Sequence, residues 1–62
     1  MIFNNIQYGK RSTTVYIPIH EFTSIPSMYI PVYHKIDSDK IYIGEYRVKK
    51  ILKDCVIMRK RI

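Results

Sequence analysis

Two alternating runs decide the fold of this chain, and both lie in residues 28–48, MYIPVYHKIDSDKIYIGEYRV. In Met28–Ile36, every second residue is apolar except for His34, and the residues between them are two tyrosines, a proline and a lysine. Ile41–Val48 alternates again after the turn-rich tetrapeptide Asp37–Lys40. Because successive side chains of a strand point to opposite faces, the two runs predict an antiparallel hairpin.

The alternation also predicts how the two strands pair. A four-residue turn at residues 37–40 would place Ile36 opposite Ile41 and Tyr33 opposite Gly44. A turn one residue shorter would mix the two faces, since a one-residue slip turns every side chain over. We therefore expect the four-residue turn, with isoleucines on one face of the hairpin. The tyrosines on its other face would be Tyr29, Tyr33, Tyr42 and Tyr46.

The segments before the hairpin are shorter and less regular. Residues 1–8 predict a short strand, and Gly9-Lys10-Arg11-Ser12 predicts a turn. Thr13–Ile19 alternates, but Pro18 cannot donate a ladder hydrogen bond, which favours an edge strand or a strand end there. Residues 20–26 are irregular, with room for one helical turn.

The segment after the hairpin, residues 46–62, fits two structures. As β-structure it turns at Lys53-Asp54, and depending on loop length it pairs Arg47 with Lys60 or Glu45 with Arg61. As a helix it places its apolar residues on one arc and most of its basic residues on the opposite arc. The β-branched content favours β-structure.

Composition supports a β-protein. The chain has no alanine, one leucine, twelve isoleucines and six tyrosines, so the best helix formers are missing. An AT-rich genome, as in many phages and low-GC bacteria, would enrich the same residues. We predict an all-β fold, a small SH3-like or OB-like barrel or β-meander of four to five short strands. The alternative is a β-meander with a basic C-terminal helix.

The length of the chain, its single cysteine and its N-terminal residues indicate its stability and its location. The 62 residues make one domain, and a chain this short buries only about 60% of its unfolded surface, which favours a homodimer. One cysteine, Cys55, cannot form an internal disulfide and fits a reducing compartment. Residues 1–10 lack the pattern of a secretory signal, and no run is long and apolar enough to span a membrane. We expect a cytoplasmic protein that does not enter the membrane.

The net charge of +6 is concentrated in one third of the chain. Residues 41–62 carry seven Lys/Arg against two acids, and residues 1–40 carry four against three. A basic segment interleaved with aromatics is typical of polyanion binders, so we predict a non-catalytic nucleic-acid-binding module, DNA or RNA. The alternative is a small protein-interaction module that docks on an acidic partner. The predicted nucleic-acid-binding residues are Arg47, Lys49, Lys50, Lys53, Arg59, Lys60, Arg61, Tyr42 and Tyr46.

The sequence contains no strong pattern for a metal site or a catalytic site. His20 and His34 match no zinc-ligand spacing, and Asp37 and Asp39 lack the further ligands of a calcium loop. Cys55 has no nucleophile motif around it. With no cluster of acid, base and nucleophile, we expect neither an enzyme nor a cofactor or metal site.

Two partial resemblances add to the fold prediction. The stretch Ile43–Val48, continued through Ile51 to Asp54-Cys55-Val56, resembles the strand–turn–strand pattern of many SH3-like barrels. From Met28 onward, the alternation and the Ile43-Gly44 step are similar to the opening strands of carbon-storage-regulator-type RNA-binding dimers. No site residue is carried over from either family.

Overall fold

Six strands and one 3-10 turn, at Ile19–Glu21, make up the computed structural model, which describes residues 1–11 and 13–62. The predicted all-β fold is confirmed, with one strand more than the four to five expected. Within the described ranges, no helix is long and apolar enough to cross a membrane. The strands are β1 (Ile2–Phe3), β2 (Gln7–Tyr8), β3 (Thr14–Pro18), β4 (Ile30–Ile36), β5 (Asp39–Ile51) and β6 (Cys55–Lys60).

The sheet curls into a half-barrel because its two edge strands are neighbours in sequence. Its strand order is β1-β4-β5-β6-β3-β2, and every pair is antiparallel except β1 with β4. The connection between the edges, residues 4–6, can span at most about 14 Å. Across the open side, the Tyr8 hydroxyl and His34 Nδ1 lie 3.0 Å apart, which ties β2 to β4.

The core lies on the concave face of the sheet. Strands β3 and β6 supply two buried residues each at every second position, as the alternation of β-structure requires. Partly buried apolar side chains, including Phe22 and Ile30, pack against the rim, and the Phe3 and Phe22 ring centroids are 4.9 Å apart. The seven buried core residues are Phe3, Val15, Ile17, Val32, Tyr46, Val56 and Met58.

The turn between β4 and β5 has two residues, not four. Ile36 lies opposite Asp39, which leaves Asp37 and Ser38 in the turn. Tight hairpin turns of this length need a positive φ at their first central residue, and Asp37 has φ 56°. The predicted four-residue turn was wrong because aspartate tolerates the left-handed region, so the strands can pair closer to the tip.

A β-bulge then changes which side chains share a face. Tyr33 pairs with Tyr42 but Val32 pairs with Gly44, so Ile43 is the extra residue on β5. From Gly44 to Val48, each β5 side chain points to the face opposite the predicted one. Tyr46 therefore lies opposite Ile30 and enters the core, so the prediction of one face holding all four tyrosines was wrong.

The C-terminal segment is a strand, so the alternative of a basic C-terminal helix was wrong. β5 continues to Ile51, and the turn closes where the Leu52 N–H donates to the Cys55 carbonyl over 2.8 Å. The register places Glu45 across from Arg61, whose N–H donates to the Glu45 carbonyl over 2.7 Å. Of the two pairings considered, the attractive one is therefore formed.

The N-terminal eight residues form two short strands rather than one. Between them, the Asn4 and Asn5 N–H groups donate to the two carboxylate oxygens of Glu21 over 2.7 and 2.8 Å. These bonds hold the bend that carries the chain from one sheet edge to the other. In the predicted turn at residues 9–12, Ser12 lies outside the described residues.

Candidate nucleic-acid interface

The convex side of the sheet, opposite the core, collects most of the positive charge. Paired residues of neighbouring strands share a face, and adjacent residues alternate. Arg59 pairs with Arg47 and flanks the buried Met58, so both arginines point away from the core. The same register and alternation define the outer face. Its basic residues are Lys35, Lys40, Arg47, Lys50, Arg59 and Arg61.

The acidic residues lie almost entirely elsewhere. Asp37 and Asp39 are at the tip of the β4–β5 hairpin, Asp54 is in the β5–β6 turn, and Glu21 binds the N-terminal bend. Glu45 is the one acid on the outer face, and its Oε1 lies 3.4 Å from Arg61 Nη1. Six cations against one acid leave this face strongly positive, which the net charge of the whole chain does not reveal.

Arg47 and Arg59 face each other without a counter-charge. They are direct cross-strand partners, and both are exposed. Among the described residues, the Glu45–Arg61 contact is the only ion pair, so neither arginine of the opposed pair is neutralised. Like charges in this position destabilise a sheet, which is consistent with a surface that is completed by an anion.

Tyr29 lies beside this arginine cluster. The Arg61 guanidinium carbon is 5.3 Å from the Tyr29 ring centroid, and the Arg47 carbon is 6.0 Å away. Contacts over a ring face hold guanidinium groups by cation–π attraction. An open cleft of about 390 Å³ adjoins them, lined by Tyr29, Arg59, Lys60, Arg61 and Ile62. Arg59, Arg61 and the Tyr29 ring therefore line a space that a phosphate could enter, and Arg47 lies beside the ring.

A second ring cluster lies towards the hairpin tip on the same face. Tyr33 and Tyr42 are cross-strand partners, with ring centroids 5.3 Å apart and planes tilted by 55°. Lys40 Nζ lies 5.1 Å from the Tyr33 centroid, and Lys35 is the cross-strand partner of Lys40. Tyr42 is 55% exposed, so its ring is open to solvent.

The predicted site residues separate into two groups. Arg47, Lys50, Arg59, Arg61 and Tyr42 lie on the outer face. Lys49 is the extra residue of a second β5 bulge and borders the same face, in a cleft with Tyr16 and Ile57. The others lie elsewhere.

Three predicted residues lie off this face. Lys53 is exposed in the β5–β6 turn. Lys60 pairs with Tyr46 on the concave side, where its stem lies over Gly44, although it also lines the cleft beside Tyr29. Tyr46 itself is 2% exposed, so its ring is not available for stacking. Burial also raises the pKa of the Tyr46 phenol, with a smaller contribution from Tyr8, and this keeps the hydroxyl neutral.

The predicted binding residues did not include other members of this surface. Lys35 and Lys40 lie outside the basic segment and join it only through the hairpin. Lys10 and Arg11 border the cleft that holds Lys49. The sequence could have indicated Lys35, because Lys35 alternates in phase with Tyr29 and Tyr33. No sequence pattern indicated Lys10 or Arg11.

The described residues contain no group of three His, Cys, Asp or Glu side chains placed to hold a metal ion. A cavity of about 430 Å³ near the open seam is lined mainly by neutral side chains, with His34, Asp54 and Cys55 at its wall. Comparison of the chain with protein-family models, with curated proteins and with solved structures found no match. The geometry of the outer face is therefore what carries a functional proposal.

Proposed function

We propose that this protein is a non-catalytic nucleic-acid-binding module that contacts the phosphate backbone with its outer face. The observation that supports this most directly is the sorting of charge between the two faces of one sheet. Six lysines and arginines lie on the convex side, and the single acid there is already bound to Arg61. Lysine and arginine neutralise phosphates and release condensed counterions, which gives affinity without sequence preference.

Arginine at the centre of the face suits this role. A guanidinium can donate two parallel hydrogen bonds to one phosphate, and Arg47 and Arg59 have no carboxylate to compete for those donors. A phosphate between them would replace their mutual repulsion by two attractions. The proposed centre of the interface is therefore the Arg47–Arg59 pair, with Lys50, Arg61 and the bulge residue Lys49 around it.

The test is a fluorescence-anisotropy titration of labelled DNA and RNA oligonucleotides over a salt series. Contact with four or more phosphates gives a log–log salt slope of about −3 or steeper. The double variant Arg47→Gln/Arg59→Gln should lower the magnitude of that slope by about 1.4 to 1.8, since each contact contributes about 0.7 to 0.9.

The matched control is Lys53→Glu. It lowers the net charge by the same two units, but in the β5–β6 turn, so it should change the slope by much less. Equal effects of the two variants would mean that only net charge matters, and would contradict the assignment to the outer face. Absence of salt-dependent binding by the unmodified protein would favour the alternative, docking on an acidic protein.

Two further properties stay predictions. A homodimer is expected because a chain of 62 residues has a small core, and sedimentation equilibrium would give the mass directly. A cytoplasmic location is expected because the lone cysteine, Cys55, is free and suits a reducing compartment.

A further inference from the structure

We propose that the outer face selects single-stranded nucleic acid, and that its rings stack on unpaired bases. This inference rests on the proposed function and names the kind of ligand that the same surface takes. It comes from a stripe of rings on β4 and β5 that the phosphate contacts alone do not explain. The stripe consists of Tyr29, Pro31, Tyr33 and Tyr42.

Two of the four rings lie along β4, and the other two lie next to it. Pro31 and Tyr33 alternate on the outer face of β4, about 6.6 to 6.8 Å apart along the strand. Tyr29 comes one residue before β4, and its contacts with Arg47 and Arg61 place it on the same face. Tyr42 lies beside Tyr33 on β5.

These rings are accessible to a ligand. Tyr29 is 40% exposed and Tyr42 is 55% exposed, and Pro31 between them is also exposed. Tyr33 is half-buried, and its ring meets that of Tyr42 at a tilt of 55°. Stacking on a base needs one free ring face, and every base offers a π-face whatever its sequence.

Basic side chains lie at both ends of the stripe. Lys35 and Lys40 flank its tip end, and Arg47 and Arg61 flank the end at Tyr29. From Tyr29 to Lys35 the stripe is about 20 Å long, which accommodates at most about six nucleotides at the 3.4 Å spacing of a stacked strand. A strand laid along it would present phosphates to the cations and bases to the rings.

This arrangement favours a single strand over a duplex. In a duplex, the bases stack on one another and only their edges are exposed in the grooves, so the tyrosine faces would have no partner. A duplex would then be held by phosphate contacts alone. Single-stranded binding proteins combine a positive track with aromatic platforms in this way.

The experiment compares three ligands by fluorescence anisotropy at one salt concentration: a 12-nucleotide oligo-dT, a 12-nucleotide oligo-U and a 12-base-pair DNA duplex. We expect both single strands to bind at least about tenfold more tightly than the duplex. Tyr42→Leu should weaken single-strand binding about fivefold or more, since one stacked base is worth about 1–3 kcal/mol, and should weaken duplex binding by a smaller factor. Tyr42→Phe keeps the ring and should retain the affinity.

A spectroscopic signal separates stacking from a general loss of binding. The chain has no tryptophan, so Tyr42→Trp introduces a single reporter into the stripe. Its emission should be quenched by the single strands and not by the duplex. Tyr42 is exposed, so none of these substitutions removes a core contact, and each variant should melt above the titration temperature even though Tyr42→Leu loses the ring contact with Tyr33.

The outcomes distinguish this inference from the proposed function. Duplex binding as tight as single-strand binding, or single-strand binding that Tyr42→Leu leaves unchanged, would overturn base stacking while nucleic-acid binding survives. Failure of all three ligands to bind would overturn both. A preference for oligo-U over oligo-dT, or the reverse, would keep the inference, and a 12-nucleotide oligo-dU would then show whether the sugar or the thymine methyl group causes the preference.

Discussion

Arg47 on β5 and Arg59 on β6 are direct cross-strand partners on the outer face, with no carboxylate between them. Two exposed positive charges in this position weaken the pairing of the strands that carry them. Arg61, two residues further along the chain than Arg59 and next on the same face, has Glu45 as its partner at 3.4 Å. The sheet therefore contains a neutralised pair next to a repulsive one, and the repulsive pair is the proposed phosphate site.

Replacing one of the two arginines by an acid should raise the stability of the fold and lower its affinity for nucleic acid. Arg59→Glu would turn the repulsive pair into an attractive one, worth about 0.2–1 kcal/mol in the free energy of unfolding. The same change should abolish most nucleic-acid binding. Urea unfolding and the anisotropy titration would measure the two effects on one sample.

The control for that variant is Lys53→Glu, which makes the same charge change in the β5–β6 turn. It should leave stability almost unchanged and cost less affinity. If Arg59→Glu were no more stable than Lys53→Glu, the repulsion between Arg47 and Arg59 would not be a significant cost to the fold.

Gly44 should not tolerate a side chain. Its φ is +126°, a conformation that L-residues rarely adopt, and an added Cβ would lie 2.7 Å from the Lys60 Cε atom. Gly44→Ala should therefore lower the free energy of unfolding by about 1–3 kcal/mol. Gly9→Ala, where an added Cβ would meet Thr14 and Tyr16 atoms at 3.3 Å, is the comparison, and its loss should be smaller.

The double variant Gly44→Ala/Lys60→Ala identifies the cause of that loss. Removing the lysine stem relieves the contact but not the backbone conformation. We expect most of the destabilisation to persist, as measured by urea unfolding. Full recovery of stability would show that crowding by Lys60, and not φ, excludes a side chain at residue 44.

Glu21 should stabilise the bend between the two edge strands. Its carboxylate accepts the N–H groups of Asn4 and Asn5 over 2.7 and 2.8 Å. Glu21→Ala should cost about 1–2 kcal/mol, since two charge-assisted hydrogen bonds are lost at a site that water can partly reach. Glu21→Gln keeps one acceptor and should lose less stability. Chemical denaturation would give the free energy of unfolding of both variants. Equal losses for the two would argue against these hydrogen bonds.

Tyr46 should make the fold sensitive to alkaline pH. Burial raises the pKa of its phenol above the ordinary value of 10.0, so the folded state favours the neutral form. The contribution to stability is fully present below the unfolded pKa, and it is lost as the pH rises through the folded pKa. Urea unfolding between pH 9 and about 11.5 should show a steeper loss for the unmodified protein than for Tyr46→Phe. Parallel curves for the two proteins would contradict the burial of a titrating hydroxyl.

Much of this fold could be predicted from local patterns. Alternation in residues 28–36 and 41–48 indicated the central hairpin, and the β-branched composition indicated an all-β protein. The pairing of Glu45 with Arg61 was one of the two registers that the sequence left open, and it is the one in which the charges attract. These features depend on neighbours along the chain or on one cross-strand pair, so a sequence can carry them.

The position of Tyr46 could not be predicted in the same way. Before the bulge at Ile43, the alternation places Tyr33 and Tyr42 on the outer face; after it, Tyr46 lies in the core. An extra residue in a strand leaves the composition and the local alternation almost unchanged. Only the pairing of β5 with β4 fixes where it falls, because a bulge is defined by the register of two strands and not by one of them.

The sequence by itself determined that this protein is a small β-protein with its excess positive charge in the last third of the chain. It did so because strand alternation and charge are properties of the residues in order. Only the tertiary structure decided which charges share a surface. The bulge at Ile43 turns Arg47 to the face that holds Lys35 and Lys40, and the bulge at Lys49 does the same for Lys50, because each extra residue exchanges the two faces of the strand beyond it. Lys60 lies on the concave side because it pairs with Tyr46.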